Sequence, residues 1–197
     1  MRPGRNETVS GLVRDALSAF VGEDFATSER LLAKAKDDAP RSARLRELLG
    51  LSLYRQGKWS EALRELSTYK RFTGRKDQNH VIADCYRAVG RTEKAMEVLR
   101  EVKREEVPPE VWTEVVIVGA STFADSGHLN KAIAHLSRAE LQPKKVEPHH
   151  LRLWYVRSDM LERAGRDEEA KAVWEAISAE DPEFFDVSER LERLSRS

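Results

Sequence analysis

The side chains that could carry out chemistry are few and scattered in this 197-residue chain. His149 and His150 are the only neighbouring histidines, but adjacent residues of a helix diverge by about 100°, so joint binding of a metal ion is awkward. The Gly-Ala-Ser sequence at 119–121 lacks the second glycine of a nucleophile elbow. Cys85, the single cysteine, is expected to be a small buried hydrophobe. We therefore predict a protein that is not an enzyme, with no catalytic, cofactor or metal site.

Composition narrows the class of protein further. The 34 basic and 34 acidic residues give a formal net charge of zero, which argues against non-specific binding to nucleic acid. A hydrophobic content of 40% is too high for a disordered tail, and a charged content of 35% is too high for a membrane protein. The sequence opens without a hydrophobic signal segment, and its lone cysteine fits a reducing compartment. We expect a cytoplasmic protein, and the excess of arginine over lysine, 23 to 11, indicates a GC-rich bacterial genome.

A spacing of glycine and alanine recurs four times along the chain. Each glycine is followed five residues later by an alanine, and the successive intervals are 33, 37 and 38 residues. Internal repetition at such a period is typical of stacked repeat architectures. The pairs are Gly57 with Ala62, Gly90 with Ala95, Gly127 with Ala132, and Gly165 with Ala170.

The residues around each glycine predict two amphipathic helices joined by a tight turn. Small residues lie seven positions before the glycine, and a leucine or tryptophan lies four positions after the alanine. Glycine favours the left-handed conformation that often ends a helix. The residues expected to cap the following helices are Ser60, Thr92, Asn130 and Asp167.

This pattern resembles the tetratricopeptide repeat, a helix–turn–helix unit of about 34 residues. The resemblance covers residues 9–182, with repeats near 9–42, 43–75, 76–112, 113–150 and 151–182. It implies an all-α fold, a right-handed superhelical α-solenoid of about five helix–turn–helix repeats plus a C-terminal capping helix. Residues 1–8 are expected to be a flexible N-terminus, and 183–197 the capping helix and tail. Residues 111–118 are rich in β-branched side chains typical of a strand, but their register with the other first helices favours a helix.

The resemblance also implies a function, since this family binds peptides or partner helices in a concave groove through side chains of the first helices. We therefore predict a non-catalytic adaptor or scaffold that binds a segment of another protein. The alternatives are that Val13, Leu17 and Phe20 pack against a neighbouring helix and that the acidic side chains are simply solvated. The predicted groove residues are Val13, Leu17, Phe20, Glu47, Leu51, Tyr54, Arg55, Asp84, Arg87, Ile117, Asp125, Arg152, Tyr155 and Asp159.

Uneven charge supports a second hypothesis. Residues 43–75 carry 8 basic and 3 acidic groups, whereas residues 151–197 carry 8 basic and 12 acidic groups. A basic patch on the second repeat could serve an RNA- or ribosome-associated factor, although no aromatic stacking platform accompanies it. The opposite charges of the two ends could also steer self-association through the end repeats. The residues of the basic patch are Lys58, Arg64, Lys70, Arg71, Arg75 and Lys76.

Overall fold

The computed structural model describes the backbone of residues 3–195 and the side chains of residues 8–195. Over these residues the chain forms eleven α-helices, a short 3-10 turn at Arg104–Glu106, and no strand. The helices are α1 Pro3–Val21, α2 Phe25–Asp38, α3 Ala43–Arg55, α4 Trp59–Thr73, α5 Asn79–Ala88, α6 Thr92–Arg100, α7 Pro109–Asp125, α8 Leu129–Leu136, α9 Pro148–Arg163, α10 Asp167–Glu180 and α11 Val187–Ser195.

The helices form five consecutive pairs followed by a single terminal helix, which confirms the predicted all-α repeat fold. The β-branched segment 111–118 lies inside α7, so the repeat register and not the residue types decided its structure. Helix α1 begins at Pro3, earlier than the boundary near residue 9 that the spacing indicated. Met1 and Arg2 lie outside the described residues.

The turns between paired helices explain the repeated glycines. Gly57, Gly90, Gly127 and Gly165 have φ values of 72°, 75°, 78° and 71°, in the left-handed region that favours glycine. At the first turn the Lys58 amide donates to the Leu53 carbonyl at 3.0 Å, so the residue after the glycine is tied to the preceding helix.

The predicted N-caps are wrong. The second helix of each of the last four pairs starts directly after the residue that follows the turn glycine. That residue occupies the N-cap position and makes no side-chain capping bond. Consequently the expected caps lie one or two residues too late. Thr92 and Asp167 are the first residues of their helices, and Ser60 and Asn130 are the second.

The repeated apolar positions form the interior. The four spacing alanines, Ala62, Ala95, Ala132 and Ala170, are each 0% exposed. The residues four positions later are also buried, and Trp174 is among the largest of them. These side chains occur once per turn of each second helix, so burying them holds the two helices of a pair together.

The chain divides into two compact units, Met1–Glu101 and Val102–Ser197. In the N-terminal unit each helix from α1 to α6 packs against the next, and α3 also contacts α5. Helices α3 and α4 approach closely at Gly50, where an added Cβ would lie 2.6 Å from Leu66 Cγ. Ser28 and Ser52 share a buried hydrogen bond of 2.9 Å between α2 and α3.

In the C-terminal unit α7 packs against α8 and α9, α9 against α10, and α10 against α11. Proline is the first residue of both α7 and α9, where its missing N–H leaves no helical bond unmade. A Cβ added to Gly119 would lie 2.5 Å from His135 Nε2, so α7 and α8 also approach closely.

Candidate partner-binding faces

In the N-terminal unit, three predicted groove residues form one hydrogen-bonded group across α3 and α5, the first helices of two successive pairs. The Tyr54 hydroxyl of α3 donates to Asp84 Oδ2 of α5 at 2.7 Å, and Arg87 Nε donates to Asp84 Oδ1 at 2.8 Å. The Asp84 and Arg87 side chains remain 15% and 28% exposed. The tyrosine ring packs edge-on against Trp59, with centroids 5.4 Å apart. A polar group on this face is therefore held in one geometry and still reaches solvent.

Two further predicted residues extend the same face of α3. Glu47, Leu51 and Tyr54 lie at i, i+4 and i+7, so they share one side of the helix. Glu47 accepts a hydrogen bond from Gln78 Nε2 at 2.9 Å, and Leu51 is half-buried. We name the set Glu47, Leu51, Tyr54, Asp84 and Arg87 the α3–α5 face.

The predicted residues of the first helix pair serve packing. Val13 lies against the buried cluster that contains Ala16 and Leu32, and Leu17 is half-buried. The Phe20 ring packs edge-on against Phe25 of α2, with centroids 5.2 Å apart. These contacts favour the alternative in which the three apolar residues join neighbouring helices.

Arg55 is also engaged with the start of α2. Its guanidinium lies 4.4 Å from the centroid of the Phe25 ring, and its Nη2 lies 3.3 Å from Glu23 Oε1. The cation–π contact and the exposed ion pair tie the end of α3 to the start of α2. Arg55 therefore contributes to helix packing rather than to the α3–α5 face.

In the C-terminal unit, the predicted residues of α9 contact the chain's own C-terminal segment. The Tyr155 hydroxyl donates to Asp186 Oδ1 at 2.6 Å, and its ring packs edge-on against Phe185 at 5.2 Å. Asp159 lies 3.4 Å from Arg190 and 3.5 Å from Arg163. Burial and the bond to Asp186 raise the pKa of Tyr155, and the same bond helps to lower the pKa of Asp186. This surface is occupied by residues that follow α10.

The remaining predicted residues of this unit do not form one surface. Ile117 is 4% exposed, so it belongs to the core and was wrongly assigned to a groove surface. Arg152 forms an ion pair with Glu114 of α7, and Asp125 is exposed at the end of α7. The β-branched run of α7 is buried on nearly all sides, a property that its spacing alone did not reveal.

The cations of the predicted basic patch are largely paired with acids. Lys58 Nζ lies 2.6 Å from Glu29, Lys70 Nζ lies 2.5 Å from Glu101, and Arg75 Nη2 lies 2.5 Å from Asp77. Arg64 Nε lies 3.6 Å from the Glu65 carboxylate, and Arg71 covers the ring of Phe72. Ion pairing offsets the positive potential that phosphate binding requires.

The side chains that could do chemistry lie in unreactive surroundings. Cys85 is 0% exposed, and burial together with the nearby Asp84 carboxylate raises the pKa of its thiol to about 12. Burial and the neighbouring Arg138 lower the pKa of His135 to about 4, so this imidazole is neutral at pH 7. Among the side chains of residues 8–195, no group of three potential metal ligands comes together.

His150 has a structural role that the sequence did not reveal. It is 5% exposed, so it is buried although it lies in the first turn of α9. Its Nδ1 accepts the Glu147 backbone N–H at 2.9 Å, which closes the start of α9. Burial, with a smaller effect from His149, lowers the pKa of His150. The ring lines a cavity of about 110 Å³ beside Trp112 and Glu140.

Comparison with known proteins agrees with this architecture. The family model of the tetratricopeptide repeat matches residues 14–74 and 118–183, more than half of the chain. The chain belongs to the tetratricopeptide-repeat family. Proteins with this fold act as scaffolds for protein–protein interaction. A comparison with curated proteins finds no match.

Several solved structures share the tetratricopeptide-repeat fold. TTC0263, a thermophilic TPR protein of Thermus thermophilus, superposes with a TM-score of 0.76 at 18% identity, covering 96% of this chain and 100% of that one. Pseudomonas aeruginosa pilF gives a TM-score of 0.66 at 14% identity, covering 89% and 78%. YrrB, a TPR protein with an unusual peptide-binding site, gives 0.56 at 14% identity, covering 90% and 89%. At these identities the likeness concerns the fold alone.

None of the helices in residues 3–195 is both long enough and apolar enough to cross a bilayer.

Proposed function

We propose that this chain is a non-catalytic, cytoplasmic adaptor that binds a peptide or helix of a partner protein on the α3–α5 face. The observation that carries the proposal is the group formed by Tyr54, Asp84 and Arg87. It joins two successive first helices at hydrogen-bond distances of 2.7 and 2.8 Å and stays open to solvent. Binding to side chains that are already ordered loses less conformational entropy than binding to mobile ones.

The face also indicates what kind of segment it fits. Leu51 offers a half-buried apolar contact between two polar regions, one at Glu47 and one at Asp84 and Arg87. A partner segment with one apolar anchor and polar groups of both charge signs would match these contacts. Such a segment could bind as an extended peptide or as a helix.

The hypothesis of an RNA-associated factor receives no support from the basic patch. Three of its six cations lie within 2.6 Å of carboxylate oxygens, so a phosphate would have to displace existing ion pairs. We therefore keep protein binding as the single proposed function.

Quantitative affinity purification of tagged variants from the native cells tests the proposal. We expect Leu51→Glu to reduce recovery of the specific partner by about tenfold, because a carboxylate would replace the apolar contact. The matched control is Ser67→Glu, which adds the same charge at an exposed position of α4. Circular dichroism would verify that both variants keep the wild-type helix content.

The three possible outcomes have different meanings. Loss of the same partner from the Leu51→Glu sample, with retention by Ser67→Glu, supports binding on the α3–α5 face. Retention by a folded Leu51→Glu protein would move the site elsewhere. Equal loss from both variants would indicate a response to charge and not to this face.

A further inference from the structure

The terminal helix α11 is attached by one buried apolar residue and by a set of partly exposed ion pairs. Of its described residues only Val187 is buried, and Leu191 and Leu194 are half-buried. Arg190 lies 3.4 Å from Asp159 and 3.5 Å from Glu162, and Arg193 also pairs with Glu162. Partly exposed ion pairs hold a helix weakly and are screened by salt.

The surface beneath α11 has a definite chemistry. Tyr155, Asp159 and Glu162 lie on α9, and Trp174 of α10 donates its Nε1–H to Glu162 Oε1 at 2.6 Å. The Arg190 guanidinium lies 5.6 Å from the centroid of the Trp174 ring. Two carboxylates beside two aromatic rings form a surface that fits an arginine-bearing, aromatic segment.

The connection before α11 is strained. Phe185 has a φ of 48°, in the left-handed region where a bulky side chain is disfavoured, and it is 71% exposed. Its ring contacts Phe184 at 4.6 Å and Tyr155 of α9 at 5.2 Å, so this conformation accompanies the packing on α9 of the segment that leads into α11. Release of α11 would relieve this strain.

We propose that α11 is an exchangeable occupant of a helix-binding site on α9 and α10, and that a partner helix of the same chemistry replaces it. The residues of the occupant define that chemistry as two aromatic residues, an aspartate directly after them, and an arginine four positions after the aspartate. This inference extends the proposed function, because it gives the adaptor a second site for partner segments, apart from the α3–α5 face.

One property of α11 favours exchange and another limits it. A nine-residue helix is only marginally stable in water, so released α11 loses its structure and competes poorly for the site. The tether nevertheless keeps it at a high local concentration, so an external helix binds weakly until α11 is loosened. Binding by partners is thereby limited by the chain's own C-terminal segment.

The test uses a fluorescein-labelled synthetic peptide with the sequence of residues 181–197 and the full-length protein. Arg190→Glu in the protein should release α11 by repulsion from Asp159 and Glu162. Fluorescence anisotropy should then show peptide affinity about tenfold or more above that of the wild type, since the site is vacant in a larger fraction of molecules. Ser195→Glu, at an exposed position of α11, adds negative charge without removing an ion pair and should bind as weakly as the wild type.

Peptide variants test the chemistry of recognition. A peptide carrying Arg190→Glu, and another with both phenylalanines replaced by alanine, should each bind the Arg190→Glu protein about tenfold more weakly. Val187→Asp in the protein provides a second means of release, because it removes the buried anchor of α11 and leaves the site intact. If the Arg190→Glu protein lost its helical circular dichroism, the Val187→Asp protein would take its place.

Several results would overturn the proposal. They are equal peptide affinity of wild type and released variants, equal binding of a scrambled peptide, or binding that survives loss of the peptide's arginine. Dimerisation of the released variants in light scattering, resistant to excess peptide, would make a second copy the occupant instead. Leu51→Glu should leave peptide binding unchanged, so failure at this site and failure of the α3–α5 proposal are separate results.

Discussion

Two glutamates in this chain each pair with more than one cation, but one is buried between helices and the other lies at the attachment of the terminal helix. Glu65 of α4 lies 2.9 Å from Lys36 of α2 and 2.6 Å from Arg46 of α3, and its side chain is 1% exposed. Glu162 of α9 pairs with Arg190 and Arg193, which both belong to α11, and is 12% exposed. The first carboxylate joins three helices of the N-terminal unit, whereas the second retains one helix at the end of the chain.

The difference shows that burial, more than pairing, determines what an ion pair contributes. Burial opposes ionisation of Glu65, but hydrogen bonds from Arg46 and Lys36 outweigh it and hold the pKa of this carboxyl below its ordinary value. Removing its charge would leave two cations, each only 20% exposed, without a counter-charge. Around Glu162 water reaches Arg193, which is 58% exposed, and Arg190, although only 20% exposed, keeps Asp159 and Asp186 as partners.

The largest effect is expected from Glu65→Gln. This change keeps the shape of the side chain and a hydrogen-bond acceptor but leaves Lys36 and Arg46 uncompensated, so the N-terminal unit should lose about 3 kcal/mol of stability. Hydrogen exchange of α3 and α4 in increasing urea would measure it, because three of the four tryptophans lie in the C-terminal unit and would obscure the fluorescence of Trp59. Arg64→Ala is the control, because that side chain is 72% exposed and should contribute less than about 0.5 kcal/mol. A loss below about 1 kcal/mol for Glu65→Gln would contradict the importance of burial.

The two units should also respond to acid in different pH ranges. His135 has a pKa of about 4 in the folded C-terminal unit and an ordinary value near 6.5 when unfolded. Between these values only the unfolded chain gains the proton, so the stability of this unit falls as pH falls from about 6.5 to about 4. Allowing for the partial exposure of the ring, the loss should be about 2 kcal/mol. The effect of Glu65 on stability appears at lower pH, because its stabilising charge is lost only as pH falls below about 4.5.

Hydrogen exchange with mass spectrometry at pH 7.5 and pH 5 resolves the two units separately. Once corrected for intrinsic exchange rates, protection should fall in α7 and α8 and stay nearly constant in α3 and α4. His135→Gln should reduce the pH dependence of α7 and α8, leaving the smaller contribution of His150. An unchanged pH dependence in the variant would assign it to other groups.

Two close helix contacts extend the comparison between the units. In Gly50→Ala the new Cβ would meet Leu66, which is fully buried. The cost of overpacking should exceed the gain in helix propensity, so we expect a net loss of stability of about 1.5 kcal/mol. In Gly119→Ala it would meet the His135 ring, whose end can swing aside, so we expect a loss of about 0.5 kcal/mol. Gly11→Ala, in open space on α1, should stabilise by up to about 1 kcal/mol. Thermal denaturation would rank the three, and equal losses at Gly50 and Gly119 would contradict the role of the movable ring.

The helix pairs could be predicted from the sequence because their determinants are local. A glycine with φ near 70° and an alanine five residues later both act within one turn and the adjacent helix, so their spacing is visible in one dimension. Ala62 and Ala170 are therefore buried where the pattern placed them. The caps failed for a local reason too, since the Lys58 amide bonds back to Leu53 and leaves no separate capping residue.

The candidate sites could be predicted only in part, because they depend on distances between helices. Helical spacing predicts that Tyr54 shares one side of α3 with Glu47 and Leu51, but its bond to Asp84 joins residues 30 positions apart. The hydrogen bond between Tyr155 and Asp186 likewise joins residues 31 positions apart. Ile117 was misassigned because helical spacing shows which residues share a side, and the packing of neighbours decides whether that side is open.

The smallest effect is expected from a change at Glu162. Glu162→Gln keeps an acceptor for the Trp174 Nε1–H and removes only the charge that attracts Arg190 and Arg193. It should reduce stability by about 0.5 to 1 kcal/mol, and the loss should be confined to α11, because in repeat proteins each element contacts only its neighbours. Faster hydrogen exchange of residues 187–195, with α9 and α10 unchanged, would show this. A loss equal to that of Glu65→Gln would mean that the terminal helix is as integral to its unit as α2 and α3 are to theirs.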